Sequence, residues 1–156
     1  MDKKEMIELW ELEEARTFTG WDFSYLEGRV THEKLPWDYD ALVRKELKQE
    51  DQLLDIGTGG GEYLLTLEHL YTNTHVTEAY PPNIELCKER LGCLGIDVQA
   101  VKEDGWLPFE DQSMDIIINR HEYFRVEEVA RVLKPGGTFI TQQVGSWNNW
   151  EFAKRL

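Results

Sequence analysis

The sequence predicts an α/β fold: a doubly wound, mostly parallel sheet with helices on both faces. Short apolar segments typical of strands alternate along the chain with segments of helical periodicity. Residues 53–63 combine a buried strand, a glycine-rich turn and the beginning of a helix. Residues 113–119 form a nearly continuous apolar run, which is typical of a strand covered on both faces. With right-handed crossovers, these elements give the strand order 3-2-1-4-5 and a ligand site beside strand 1, where the order reverses.

The first half of the chain carries two helices before the sheet begins. We expect them over residues 3–19, with Gly20 as the stop, and over residues 39–49. After the first strand and its turn come, in order, a helix over 62–70, a strand over 75–79, a helix opened by Pro81 and a strand over 96–101. Because the last of these strands alternates between apolar and polar residues, we expect it near an edge of the sheet.

The second half continues the alternation. Residues 103–111 are predicted to form a loop, and the apolar strand after it leads to a helix with an apolar stripe made by Val126, Val129, Ala130 and Leu133. Residues 134–137 are expected to end that helix, and residues 138–144 to form the fifth strand. We divide the single domain into a helical and aromatic cap segment, a ligand-binding core and a tail: residues 1–50, 51–145 and 146–156.

Composition limits the classes of function. The chain has 156 residues, of which 41% are apolar and 30% charged, as expected for one globular domain. It contains neither an apolar run long enough to cross a membrane nor an N-terminal signal peptide, so we expect a cytoplasmic protein with no membrane partner. A net charge of −13 disfavours nucleic acid as a partner. Cys87 and Cys93 do not have a metal or redox spacing, so we expect two reduced thiols and no metal site.

The glycine-rich turn predicts a nucleotide site. Gly57, Gly59 and Gly61 leave the backbone open to a ligand at the end of strand 1. Glu78 lies 21 residues after Gly57, at the end of strand 2, where a carboxylate can accept hydrogen bonds from ribose hydroxyls. The dinucleotide fingerprint needs Gly or Ala where this chain has Glu62. An NAD-dependent oxidoreductase is therefore only a minor alternative.

Residues 55–61, with the pattern acid, apolar, Gly-x-Gly-x-Gly, resemble the first motif of the class I S-adenosylmethionine-dependent methyltransferases. The resemblance extends over about residues 52–144 and is closest to the ubiquinone and menaquinone methyltransferases, the type 11 group. Residues 119–122 and 133–145 are similar to a bacterial subgroup. The resemblance implies a Rossmann-like fold, S-adenosyl-L-methionine as the cofactor and methyl transfer to a small molecule.

The resemblance also implies a set of cofactor-binding residues. Asp55 would hold amides of the glycine turn or the amino group of the cofactor, Asp104 would face the adenine amino group, and the backbone of Gly105 would meet the adenine ring. The end of the fourth strand, at Asn119, is expected to face the cofactor. The full predicted set is Asp55, Gly57, Thr58, Gly59, Gly61, Glu78, Ala79, Asp104, Gly105 and Asn119.

The methyl acceptor is expected beside the segment that precedes the first strand and the loop that follows the fourth. In the family the segment before that strand commonly covers the pocket, so Trp21, Phe23 and Tyr25, with Arg120, are predicted to line the acceptor site. The alternative is that these rings only pack the first helix onto the core. His121 is the candidate general base, because an unperturbed histidine titrates near pH 6.5. A structural role for His121, as a helix cap or a loop contact, is the alternative.

The end of the sequence raises a separate expectation. The family usually continues beyond its fifth strand with an antiparallel hairpin, strands 6 and 7, whereas only twelve residues follow Val144 here. We therefore expect strand 5 to be an edge covered by the tail, by the aromatic N-terminal segment or by a second copy of the chain in a homodimer. A catalytically incomplete cofactor-binding module, or a truncated fragment, is the alternative to an active methyltransferase.

Overall fold

A computed structural model describes residues 2–31, 34–102 and 104–155, with only the backbone described for Phe152. Glu103, the first residue of the predicted loop, lies outside these ranges. Five strands form one parallel sheet in the order β3-β2-β1-β4-β5, which confirms the predicted fold and strand order. The strands are β1 Leu53–Ile56, β2 Thr74–Glu78, β3 Asp97–Ala100, β4 Met114–Arg120 and β5 Leu133–Gln142. The helices are α1 Lys3–Glu14, α2 Tyr39–Glu46, α3 Glu62–Thr66, α4 Pro81–Arg90, α5 Val126–Val132 and α6 Trp150–Ala153.

The central strands send alternate side chains into two separate apolar clusters. Leu53 lies in the cluster that includes Tyr39 and Val43 of α2, whereas Leu54 lies in the cluster that includes Val129 of α5. This follows from the period of two residues in a strand, which places neighbouring side chains on opposite faces of the sheet. In β4, Ile116 and Ile118 join the first cluster and Ile117 the second. Helices therefore cover both faces of β1 and β4, as their apolar sequences indicated.

Several helices end earlier than the sequence predicted. The first helix ends at Glu14 rather than near Gly20, and none of its residues is buried. A capping box of Asp2 and Glu5 fixes its beginning, but no tertiary packing extends it. The second helix ends at Glu46, and the third ends at Thr66. None of the helices in the described ranges is long and apolar enough to span a membrane.

The fifth strand differs most from the prediction. Residues 134–137, expected only to end α5, lie within β5 as a bulge, because Leu133 pairs with Met114 and Thr138 pairs with Ile116. The bulge contains Pro135, which has no N–H for the ladder, and Gly136 with a φ of 83°. The strand ends at Gln142, so Val144 lies outside it and is 62% exposed.

Both edges of the sheet carry partly exposed strands. As predicted, β3 forms one edge, and β5 forms the other within the described residues. The N-terminal part of the chain contacts β5, since α2 packs near it and the Trp37 indole donates a hydrogen bond to Gln142 Oε1 at 3.1 Å. These contacts do not pair with the edge of β5, so its coverage by the tail, by the aromatic N-terminal segment or by a second copy stays a prediction.

Candidate functional site

The glycine turn after β1 places the backbone, rather than side chains, at the centre of the site. Gly57, Gly59 and Gly61 all have positive φ, between 68° and 76°, which explains why every second residue of the turn is glycine. The amides of Gly57 and Thr58 donate to the Thr77 carbonyl at 3.0 and 3.2 Å, so the turn is anchored to β2. The turn therefore lies between the carboxyl ends of β1 and β2, where the strand order reverses.

Glu78 is held tightly beside this turn. Its carboxylate accepts hydrogen bonds from the backbone N–H of Gly59 at 2.8 Å, of Ala79 at 2.9 Å and of Tyr80 at 3.0 Å. The residue is 4% exposed, and it lines a cleft together with Ala79. The predicted ribose acceptor is thus preorganised, and the same carboxylate also stabilises the turn.

Cleft 1 is the groove on the β2 side of the turn. It is bounded by the ends of β1 and β2 and by the loops that follow β3 and β4: Ile56, Gly57, Thr77, Glu78, Ala79, Val101, Lys102, Gly105, Trp106, Leu107, Glu122, Tyr123 and Phe124. Gly105 lines it, as predicted, and a Cβ at Gly105 would approach Tyr123 Cε1 to 2.9 Å. Asp104 does not line it, because its exposed carboxylate accepts a hydrogen bond from the Trp106 N–H at 3.1 Å.

Cleft 2 lies on the other side of Gly57 and holds a buried acid. Its lining consists of Trp21, Tyr39, Asp55, Gly57, Thr58, Glu62, Tyr63 and Arg120. Burial raises the pKa of Asp55 to about 6, against the opposing effects of Thr58 and Arg120, and Glu78 raises it further. An ionised Asp55 would therefore be stabilised by a cation bound in this cleft.

Glu122 lies where the two clefts meet. A Cβ at Gly57 would collide with the Cβ and Cγ atoms of Glu122, so this side chain packs directly over the turn. The free space in cleft 1 is about 20 Å³ and in cleft 2 about 40 Å³, enough for only a few water molecules. The glycine turn, which has no Cβ atoms, and the carboxylates of Asp55 and Glu78 fit an adenosyl cofactor. For one molecule to occupy both clefts, the Glu122 side chain must move.

Cleft 3 is wider and is formed largely by the N-terminal segment. It has a volume of about 700 Å³ and is lined by Trp21, Phe23, Ser24, Leu26, Glu27, Val30, Arg120, His121 and Gln142. The segment is tied to the core by the Gly20 N–H, which donates to the buried Asn83 Oδ1 at 2.7 Å. The sequence indicated Asn83 only as a turn or cap residue, and this contact over 63 positions was not foreseeable from it.

The predicted acceptor residues are divided between two places. Trp21, Phe23 and Arg120 line cleft 3 as expected, and Trp21 and Arg120 also line cleft 2. Tyr25 instead lies in a separate groove, where the Arg16 guanidinium stands 5.8 Å from its ring centroid. Its prediction as a lining residue of the acceptor site is not supported by this position.

His121 is held in one hydrogen-bonding arrangement. Because the Trp37 indole can only donate, its contact with Gln142 Oε1 directs Gln142 Nε2 toward His121 Nε2, which lies 3.3 Å away. His121 Nε2 therefore accepts, and the neutral ring carries its proton on Nδ1. Burial, and then the charge of Arg120, lowers the pKa of His121 below its usual value. The ring is neutral at pH 7, as a general base requires, although its Nε2 lone pair already has a partner.

The Asn119 side chain forms hydrogen bonds within the sheet and lines none of the three clefts. It is fully buried, its Nδ2 donates to the Ile56 carbonyl at 3.4 Å, and its Oδ1 accepts from the Thr141 hydroxyl at 3.1 Å. Its own carbonyl accepts a hydrogen bond from the Tyr39 hydroxyl. Asn119 thus links β4 to β1, β5 and α2, and its predicted contact with the cofactor is not supported by this position.

The glycine turn is also held by buried groups that line none of the clefts. Gly59 and Gly61 are buried and shape the turn, and the Cys87 thiol donates to the Gly59 carbonyl at 3.0 Å. Burial raises the pKa of Cys87 to about 12, so this thiol stays protonated and unreactive at neutral pH. Neither Cys87 nor the exposed Cys93 forms a disulfide. Within the described ranges, no cluster of three or more His, Cys, Asp and Glu side chains could hold a metal ion.

The tertiary structure brings into the clefts further side chains that were not predicted from the sequence. They are Tyr39, Glu62 and Tyr63 in cleft 2, Trp106, Glu122 and Tyr123 in cleft 1, and Gln142 in cleft 3. Glu122 and Tyr123 follow a central parallel strand, and this position is a signal that could have identified them. Tyr39 and Tyr63 lie on helices, where an aromatic side chain cannot be distinguished from an ordinary core residue.

Comparison with known proteins gives the family. The family model described as a methyltransferase domain matches residues 54–141, more than half of the chain. A probable phthiotriol/phenolphthiotriol dimycocerosates methyltransferase 2 of Mycobacterium ulcerans is 41% identical over 91 residues, 53% of this chain and 34% of that protein. The chain spans about a third of the length of the first such relatives.

Solved structures agree with this assignment. A SAM dependent methyltransferase from Aquifex aeolicus matches with a TM-score of 0.52 and 26% identity, covering 73% of this chain and 63% of that chain. The PH0226 protein from Pyrococcus horikoshii OT3 matches with a TM-score of 0.60 at 22% identity, covering 75% of this chain and 60% of that chain, which supports the fold alone. This chain belongs to the methyltransferase domain family, within the class I S-adenosylmethionine-dependent methyltransferases.

Proposed function

We propose that this chain binds S-adenosyl-L-methionine and transfers its methyl group to a small molecule. The observation that carries the proposal is the meeting of clefts 1 and 2 at Gly57, with Glu78 in one and Asp55 in the other. Adenosine in cleft 1 would place its ribose on Glu78, and the amino-acid group of the cofactor would then lie beside Asp55. The family assignment supports S-adenosyl-L-methionine as the cofactor.

The residues of the chain would act mainly by orientation. The bound cofactor supplies an activated methyl group on a positively charged sulfur. Fixing the two reactants in line can contribute about 7–11 kcal/mol to lowering the barrier, so no obligatory catalytic side chain is required. Gly57 and Glu78 would fix the donor, and Trp21 would separate it from bulk solvent, since Trp21 lines both cleft 2 and cleft 3.

Cleft 3 is the proposed acceptor site. Its apolar lining, from Trp21, Phe23, Leu26 and Val30, fits an apolar or aromatic molecule. Trp21 and His121 present nearly parallel rings, with an interplanar angle of 5° and centroids 6.3 Å apart. If the acceptor atom is a hydroxyl or an amine, His121 would take its proton, which requires Nε2 to exchange its Gln142 contact for the acceptor.

The partners proposed for the chain follow from its net charge and from the exposed edge of its sheet. A net charge of −13 disfavours phosphate backbones, so a small molecule rather than a nucleic acid is the proposed acceptor. The outer edge of β5 offers a surface for pairing with a second copy, and sedimentation at several concentrations tests this homodimer. A cytoplasmic location remains a proposal from the sequence.

The decisive experiment measures binding and transfer separately. Calorimetric titration with S-adenosylhomocysteine and with NAD tests the cofactor, and methyl-labelled S-adenosyl-L-methionine with a panel of small aromatic and apolar metabolites tests the reaction. We expect S-adenosylhomocysteine to bind and NAD not to bind. Binding without transfer to any acceptor would favour the cofactor-binding module, and binding of NAD alone would overturn the proposal.

A further inference from the structure

Arg120, the last residue of β4, presents its guanidinium to three aromatic rings. The Cζ atom lies 4.9 Å from the ring centroid of Tyr63, 5.9 Å from that of Tyr39 and 6.0 Å from that of Trp21. Such contacts hold the cation in place through its attraction to the aromatic rings and leave its N–H groups available as hydrogen-bond donors. In the described part of the chain, these donors make no ion pair or hydrogen bond that satisfies normal geometry.

The position of the guanidinium distinguishes between the two clefts that Arg120 lines. Tyr39 and Tyr63 line cleft 2 but not cleft 3, and Tyr63 is the nearest of the three rings. The charged end of Arg120 therefore lies on the side of cleft 2. The charge of Arg120 also lowers the pKa of Asp55, against the larger effect of burial, so the two groups are electrostatic neighbours.

Two acids, Asp55 and Glu62, and one base, Arg120, line cleft 2. The Glu62 carboxylate is already bonded to the Gly60 N–H at 3.0 Å and to the Arg90 guanidinium at 2.9 Å. This leaves Asp55 and Arg120 as the pair that suits a zwitterion. Asp55 is the buried carboxylate, and Arg120 is the basic side chain among the residues that line the cleft. A planar guanidinium matches the geometry of a carboxylate, with two parallel N–H···O bonds. We infer that Arg120 binds the carboxylate of the cofactor's amino-acid group while Asp55 binds its amino group; this inference rests on the proposed function.

From the sequence, Arg120 was predicted only to line the acceptor site. The same side chain, placed between clefts 2 and 3, would instead fix the end of the cofactor and form the wall against which the acceptor lies. Arg120 would then determine which adenosyl compounds bind: those with a free carboxylate are selected over decarboxylated or truncated ones.

A ligand-by-variant comparison tests the inference. Two ligands are used: S-adenosylhomocysteine and S-adenosyl-3-thiopropylamine, which keeps the amino group and lacks the carboxylate. For the original chain, loss of the carboxylate should weaken binding about 10- to 100-fold. Arg120→Met retains an apolar side chain against the rings but has no guanidinium to bind the carboxylate. For this variant, the affinities of the ligands with and without the carboxylate should differ by less than about threefold.

A matched variant controls for the loss of one positive charge. Arg16→Met removes another arginine that lies over a ring, that of Tyr25, outside clefts 1 to 3, and should retain the full discrimination between the ligands. Thermal unfolding of Arg120→Met checks its fold, and Arg120→Lys should restore part of the discrimination. Equal weakening of both ligands in Arg120→Met, or unchanged discrimination, would overturn the inference. If the original chain binds neither ligand, the proposed function itself fails.

Discussion

Cleft 1 contains a glycine turn and a carboxylate held by backbone groups at the ends of two neighbouring strands, whereas cleft 3 is lined mainly by side chains of the N-terminal segment, β4 and β5. Glu78 is fixed by three backbone N–H groups of its own region. Cleft 3 depends on an N-terminal segment that Asn83 and Gln142 tie to the core. The proposed donor side therefore depends on backbone geometry at the ends of β1 and β2, whereas the proposed acceptor side depends on how the N-terminal segment is attached to the core.

The largest expected effect lies on the cleft 3 side. His121→Ala should lower turnover about 10²- to 10⁴-fold on an acceptor that loses a proton, while the affinity for S-adenosylhomocysteine stays within twofold. Steady-state kinetics and calorimetry measure the two quantities. His69→Gln is the control, because His69 contacts the Asp51 carbonyl and lines none of clefts 1 to 3. Unchanged turnover would show that His121 is structural.

The pH dependence of turnover sharpens this comparison. A base acts in its deprotonated form, and the pKa of His121 is lowered, so turnover should rise with pH with its midpoint below the usual pKa of histidine. Gln142→Glu places a carboxylate at His121 Nε2, which favours the protonated ring and should move the rise to higher pH. A profile that is identical in both proteins would contradict the proposed role of this hydrogen bond.

On the cleft 1 side, Glu78→Ala should weaken S-adenosylhomocysteine binding about 10- to 100-fold, because charge-assisted hydrogen bonds to the ribose are lost. Since Glu78 also holds the turn, part of the loss would come from the backbone of Gly59. Titration with the 2′-deoxy analogue of S-adenosylhomocysteine separates the loss of ribose contacts from the disturbance of the turn. The original chain should bind S-adenosylhomocysteine more tightly than this analogue, whereas Glu78→Ala should bind both equally. Glu89→Ala, on the exposed side of α4, is the charge control. An affinity within twofold of the original would refute the ribose assignment.

Asp55 links ligand binding to stability. Its pKa is raised to about 6, so the folded chain binds this proton more tightly than the unfolded chain, and the stability it contributes falls as pH rises from about 4 to 6. Asp55→Asn should remove this pH dependence and raise the free energy of unfolding at pH 8 by on the order of 2 kcal/mol. Urea unfolding at pH 5 and pH 8 checks the result. The same variant should bind S-adenosylhomocysteine more weakly; stronger binding would exclude contact with the amino group.

The smallest effect is expected at the junction of the two clefts. Glu122→Ala removes the side chain that packs over Gly57 and should tighten S-adenosylhomocysteine binding about two- to tenfold, because a larger fraction of the molecules is open to the ligand. Calorimetry measures the affinity, and Glu127→Ala on exposed α5 controls for the charge. Weaker binding in Glu122→Ala would mean that Glu122 contacts the ligand instead of blocking it.

The sequence by itself determined the parts of this protein that depend on neighbouring residues. The order of elements, the parallel sheet and the turn with Gly57, Gly59 and Gly61 follow from local patterns, because a positive φ and a strand period are readable from a few residues. The position of Glu78 at the turn followed for the same reason. Helix ends were less predictable, since α1 ends at Glu14 where no tertiary packing continues it.

The tertiary structure alone decided which distant side chains meet. Asn83 anchors Gly20, Gln142 directs His121, and the Arg120 guanidinium lies against the ring of Tyr63. Asn119, which the sequence placed in the site, is instead buried between strands. Such contacts join residues 20 to more than 100 positions apart, and nothing in the local sequence encodes their distance or direction. Packing of the N-terminal segment against the sheet fixes these contacts, because close packing and hydrogen-bond pairing depend on the whole fold rather than on neighbouring residues.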